Sequence, residues 1–189
     1  MEEKDLIQQS KDGREEAFVA LVRRYKTKVF NLAFSLTGDR DTADDLAQEA
    51  FIKAYFGLPK FQFRSEFGTW LYRITVNHVK DYLRKKSRLS EISMERVKEI
   101  SSSQEDETEK REKMLTEEQK RRLLRQAIRT LPEKHQVILS LRDVQGLSYE
   151  EVAKVLKIPP GTVDSRLFRA RKMLREKISS FLKSERRPS

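Results

Sequence analysis

The chain has 189 residues, 37% of them charged and 37% hydrophobic, with a formal net charge of +10, which suits one domain or two small ones and a polyanionic partner. It contains no cysteine, so disulfides, thiolate zinc sites and cysteine nucleophiles are excluded. The start, Met1-Glu2-Glu3-Lys4-Asp5, has no apolar signal core, and no run is apolar for the length a bilayer requires, so a cytoplasmic protein without membrane insertion is expected.

Charge is unevenly distributed: +3 over residues 1–86, −4 over 87–118 and +11 over 119–189. In chain order, Asp12-Gly13 punctuates a short opening segment. Phe18, Leu21, Val22, Tyr25, Val29, Leu32, Ala33 and Leu36 then mark a long amphipathic helix closed by Thr37-Gly38-Asp39. A second helix is predicted from near Asp41 to about Tyr55. It buries Leu46, Ala47, Ala50, Phe51 and Ala54 and turns Asp44, Asp45, Gln48, Glu49 and Ile52 elsewhere, which leaves a mixed acidic and apolar patch suited to a protein partner. The acids Asp39, Asp41, Asp44 and Asp45 fail the EF-hand pattern, because Asp44 and Ala50 stand where glycine and glutamate are needed. Acids favoured by a helix dipole explain them without a metal.

The following loop carries Phe61, Phe63 and Phe67 among Lys60 and Arg64, and leads into a helix predicted from Thr69 to about Lys86. On it Trp70, Arg73, Asn77, Lys80 and Arg84 recur at helical offsets and form a stripe with an aromatic head and a basic tail. Rings that stack on unpaired bases beside cations that follow a backbone are what single-stranded DNA needs, and an amide such as Asn77 can bond an extruded base edge. The bland reading, that Trp70 and the phenylalanines form a core, fits Phe67 and Trp70 at least as well. His78 has no second ligand at metal spacing and reads as a packed helix residue.

Residues 87 to about 112, with Ser101-Ser102-Ser103-Gln104-Glu105-Asp106-Glu107-Thr108-Glu109, have many charges and little to bury, and read as a flexible acidic linker. Its acidity either solubilises or mimics nucleic acid inside a basic channel. Beyond it, Ser148 and Glu151 form a capping box that starts a helix at Tyr149. The apolar residues Val152, Ala153, Val155 and Leu156 end at Lys157-Ile158-Pro159-Pro160-Gly161, where only a tight turn fits. In the next helix Val163, Leu167, Ala170 and Leu174 face inward, while Thr162, Ser165, Arg166, Arg169 and Lys172 share another face. This is a helix-turn-helix whose outer face carries the forked donors and hydroxyls of a major-groove reader. The expected fold is all-α: a helical domain over 1–86, a linker over 87–118 and a helix-turn-helix domain over 119–183.

These stretches resemble the small extracytoplasmic-function (ECF, group 4) sigma factors of bacterial RNA polymerase, within the sigma-70 superfamily. Region two is matched by Ala17-Phe18, Leu21-Val22-Arg23-Arg24-Tyr25, the run Ala43 to Tyr55 and the run Phe67 to Asn77; region four by Leu131-Pro132, Gly146 to Ala153 and Gly161 to Arg171. The resemblance implies a non-catalytic initiation subunit, without metal or cofactor. Asp44, Asp45, Gln48, Glu49 and Phe51 would dock on the coiled coil of the polymerase largest subunit, with the flap of the second-largest subunit as a further contact. Lys53, Phe61, Trp70, Arg73 and Asn77, with Lys80 and Arg84 on the same stripe, would open and read the minus-ten element as separated strand. Thr162, Ser165, Arg166, Phe168 and Arg169, with Lys172 beside them, would read the minus-thirty-five element as duplex. The linker would thread toward the RNA exit path, and an anti-sigma factor would clamp both domains and could hold the protein at the membrane. One departure is Asp164, an acid where many members carry a basic residue, which weakens contact with a nearby phosphate. Two other classes stay open on residues alone: a dimeric regulator that binds duplex DNA by itself, and a metal-dependent nuclease built on Asp39, Asp41, Asp44 or Asp45.

Overall fold

The computed structural model describes residues 2–94 and 116–184, and among these the regular structure is entirely helical. Residues 95–115, where most of the expected linker lies, are outside the described residues. The short opening segment is a helix, α1 (Glu3–Lys11), which buries Leu6 and Ile7. The long amphipathic helix α2 (Glu15–Thr37) ends at Gly38, whose φ of 72° lets its N–H reach the Phe34 carbonyl, a left-handed cap that glycine adopts without steric cost. A side chain at position 38 would also collide with Arg129 from the second half of the chain.

Helix α3 (Arg40–Gly57) starts on Asp39, whose carboxylate accepts from the Thr42 N–H at 2.8 Å. Hydrogen bonding to Thr42 holds this carboxyl below its ordinary value. Asp39 is therefore a cap, and Asp44 accepts from Gln48 at 2.8 Å. No group of three or more potential ligands among the described residues is arranged to hold a metal ion. After a 3-10 turn (Leu58–Lys60), α4 begins at Phe67, earlier than Thr69, and runs to Met94, past Lys86. Neither glycine nor proline interrupts residues 87–94, so nothing local stops the helix.

In the second half, α5 (Glu117–Arg129) is opened by a Thr116–Gln119 capping box. Helix α6 (Glu133–Leu139) widens into a π turn over Ser140–Val144, where the Gln145 N–H bonds the Ser140 carbonyl at 3.0 Å. Helix α7 (Tyr149–Leu156) has the predicted capping box: Ser148 Oγ accepts from the Glu151 N–H at 3.1 Å, and Glu151 accepts from the Ser148 N–H at 2.7 Å. Lys157 then takes a left-handed φ of 53°, and Pro160 opens α8 (Pro160–Ser184). Val163, Leu167 and Ala170 are buried, as their spacing requires.

The two halves pack together. One core joins Leu32, Leu36, Leu46, Tyr72, Val76 and Val79 of α2–α4 with Ile128, Val152, Val155, Val163 and Leu167 of the second half. Helix α4 lies on α7, and α2 lies on α5 and the π turn. A separate core under α1 holds Leu6, Phe18, Phe51, Leu58, Phe61 and Phe67. At the rim of the seam Glu133 meets Lys80 Nζ at 2.9 Å and Arg84 Nη2 at 3.4 Å. Burying one such valine or leucine stabilises by about 1.5–3 kcal/mol, whereas an ion pair at a solvent-accessible rim contributes about 0–1 kcal/mol, so the seam is held by its apolar residues.

Replacing Ser148 with alanine removes one half of the α7 capping box and is expected to cost about 1 kcal/mol, read as a lower melting temperature, with Ser148→Gly closer to the parent. A second expectation concerns alkali. Burial, then the Glu151 carboxylate across the seam, pushes the Tyr72 phenol up to about 12 from 10.0. A raised pKa means that the folded phenol keeps a proton the unfolded one releases, so stability is intact below pH 10.0 and falls as pH rises through about 12. Melting curves across that window should decline less steeply in Tyr72→Phe.

Candidate nucleic-acid and partner interfaces

The outer face of α3 carries the expected acidic patch. Asp44, Asp45, Gln48 and Glu49 are exposed, whereas Phe51 is only 8% exposed and lies in the core under α1. Phe51 points inward because it shares the buried side of α3 with Ala47, Ala50 and Ala54. The apolar residues that α3 does present are Ile52, Tyr55 and Phe56, the last 75% exposed. His78 of α4 stands against this face. Its Nδ1 lies 2.6 Å from Lys53 Nζ and its Nε2 lies 2.7 Å from Glu49 Oε2.

The loop before α4 divides its aromatic residues between core and surface. Phe61 is 4% exposed and packs on Phe67 and Trp70, with ring centroids 6.0 and 5.1 Å away. Phe63 is 43% exposed and takes a φ of 54°, a left-handed conformation that costs a non-glycine residue about 1–2 kcal/mol. The exposed ring of the loop is thus Phe63, which spacing alone did not separate from Phe61. Along α4, Trp70 and Arg73 are half-buried and Asn77 is exposed. Lys80 and Arg84 are engaged by Glu133, so the basic tail of the stripe is partly neutralised in the free chain.

On α8 the inward and outward faces separate as predicted. Ser165, Phe168, Arg169 and Lys172 are exposed, Thr162 and Arg166 half-buried, and Phe168 shows 67% of its surface. Asp164 is exposed on the same helix. Arg171 lies apart from this group: it makes a two-pronged pair with Asp143 of the π turn, at 2.6 and 3.2 Å, and fastens α8 to that turn. Beneath α8 sits His135, whose pKa burial and the cations of Lys134, Arg166 and Arg169 hold below its ordinary value.

Packing of the halves also forms a cleft of about 490 Å³ in which Lys60, Arg64, Trp70 and Arg73 face Lys154 and Lys157 from the end of α7. Among the described residues, no carboxylate lines it, an arrangement suited to a phosphate backbone beside an aromatic ring.

Fold and faces together define a helical, two-region protein with a helix-turn-helix. The sigma-70 region 2 family model matches residues 21–89 and the sigma-70, region 4 model matches residues 121–174. The chain is 35% identical to the RNA polymerase sigma-H factor of Pseudomonas aeruginosa, covering 96% of each. It is 36% identical to the ECF RNA polymerase sigma-E factor of Escherichia coli K12, over 94% of this chain and 95% of that protein. It is 33% identical to the ECF sigma factor SigW of Bacillus subtilis, over 93% and 96%. Among solved structures it is similar to the sigma factor RpoE bound to the anti-sigma factor NepR from Bartonella quintana, with a TM-score of 0.66, 25% identity and coverage of 86% and 96%. Its fold is also similar to that of CnrH in complex with the cytosolic domain of CnrY, with a TM-score of 0.67, 24% identity and coverage of 96% and 97%. The chain belongs to the ECF sigma factors of the sigma-70 family. No helix among the described residues is long and apolar enough to cross a membrane.

The engagement of Lys80 and Arg84 can be tested directly. Glu133→Gln is expected to change stability by less than about 1 kcal/mol, and to strengthen binding of single-stranded DNA by the free chain, measured by fluorescence anisotropy at fixed salt.

Proposed function

We propose that this chain is a promoter-specificity factor that binds core RNA polymerase, reads minus-thirty-five and minus-ten elements and promotes strand opening without covalent chemistry. The observation that carries the reading is the presence on one chain of two exposed faces whose chemistry suits two different forms of nucleic acid. One is the aromatic and basic face of Phe63, Trp70, Arg73 and Asn77, suited to separated strand; the other is the helix-turn-helix face of α8, suited to duplex. Residues 1–86 act as the strand-reading region, 87–118 as the connection and 119–183 as the duplex-reading region.

On this reading the exposed Asp44, Asp45, Gln48 and Glu49, with Ile52 and Phe56 beside them, meet the polymerase largest subunit. Phe51 supports that face from beneath. Lys53, Trp70, Arg73, Asn77, Lys80 and Arg84 hold the strand, with Phe61 forming the floor under Phe63. Thr162, Ser165, Arg166, Phe168, Arg169 and Lys172 read the duplex. The protein works in the cytoplasm, and an anti-sigma factor is its regulatory partner. The similarity to a sigma factor solved with its anti-sigma factor supports that partner.

Purified protein mixed with core polymerase on genomic fragments of its source should yield transcripts whose 5′ ends fall at discrete sites sharing two spaced elements. No change from core alone, with site-specific duplex binding by the free chain, would favour a conventional regulator. Arg166→Ala and Arg169→Ala are each expected to cost about 1–3 kcal/mol at the minus-thirty-five element, read as lost initiation from promoters that depend on it.

A further inference from the structure

The strand-reading loop is held by a residue outside it. Lys11, in the last turn of α1, sends its Nζ to the carbonyl oxygen of Phe61 at 2.9 Å and stands 5.5 Å from the centroid of the Phe63 ring. A lysine at a helix C-terminus is ordinarily explained by the helix dipole, but this ammonium is bonded to a carbonyl fifty positions away in sequence. We propose that Lys11 is a positioning residue that presets Phe63 for base capture. The inference rests on the strand-reading role proposed above.

Three observations converge on it. The Phe61 side chain is fixed in the core by Phe67 and Trp70, so its carbonyl is a firm point to hold. Phe63 keeps a φ of 54°, which a bulky residue adopts only where its surroundings impose it; the Lys11 cation against the ring, and the Phe61 ring 5.1 Å away, supply that surrounding. Helix α1 is itself anchored, by buried Leu6 and Ile7 and by the Tyr25 hydroxyl donating to Glu3 at 2.7 Å. A ring held in place before the strand arrives loses less conformational freedom when a base stacks on it.

The test uses holoenzyme reconstituted with core polymerase, on a promoter that the wild-type holoenzyme uses. Lys11→Met keeps the aliphatic stem and is expected to slow open-complex formation roughly tenfold, followed by permanganate reactivity, with core binding and melting temperature close to the parent. Lys11→Arg should recover most of the rate. Phe63→Leu should slow opening to a similar degree, and the double variant should be no slower than Phe63→Leu alone, because the two residues act as one unit. An opening rate for Lys11→Met within about twofold of wild type would overturn the proposal. Multiplying effects in the double variant, or a loss that tracks melting temperature and is not rescued by arginine, would do the same. A wild-type holoenzyme that opens no promoter would instead overturn the function proposed above.

Discussion

The apolar packing of α4 on α7 is the constraint that the rest of the free chain obeys. Helix α4 has two obligations: Tyr72, Val76 and Val79 enter the core shared with the second half, while Trp70 and Arg73 line the cleft at the edge of that seam and Asn77 is exposed. Because both sets sit on one rigid helix, the direction of the proposed strand-reading face is fixed by the residues that hold the helix-turn-helix region. Under the proposed function, separating the two regions has a free-energy cost that is subtracted from any binding that requires them apart.

The helix-turn-helix was legible in the sequence because its signals are local. Ser148 and Glu151 are three residues apart, and the turn is punctuated by two prolines, so the capping box and the helix break need no tertiary information. The same holds for the buried stripe of α8. The outer face of α3 was legible for a related reason: an alternation of alanines with acids on a helical period assigns each residue to a side.

Other features depend on contacts between distant segments. Phe61 and Phe63 are equivalent in composition and spacing, and what separates them is the position of Phe67 and Trp70 beneath one of them. The Lys11 contact spans fifty positions, and no periodicity points to it. The shared core is hidden because the residues of α2 and α4 that enter it read equally well as the core of a separate domain. The π turn over Ser140–Val144 has no sequence signal of its own.

Electrostatics at the seam pull in both directions. Closure places Lys154 and Lys157 opposite Lys60, Arg64 and Arg73 in a cleft that no carboxylate among the described residues lines, which opposes packing, whereas Glu133 between Lys80 and Arg84 favours it. Each of these solvent-accessible interactions is worth about 1 kcal/mol or less and is screened by salt. The buried valines and leucines of the shared core each contribute more than that, so neither charge set decides the arrangement and the closed form prevails in the free chain. A phosphate backbone relieves the repulsion in the cleft but leaves the apolar seam intact. Parting the two regions therefore requires a partner that binds large surfaces on both, which under the proposed function is polymerase rather than promoter DNA.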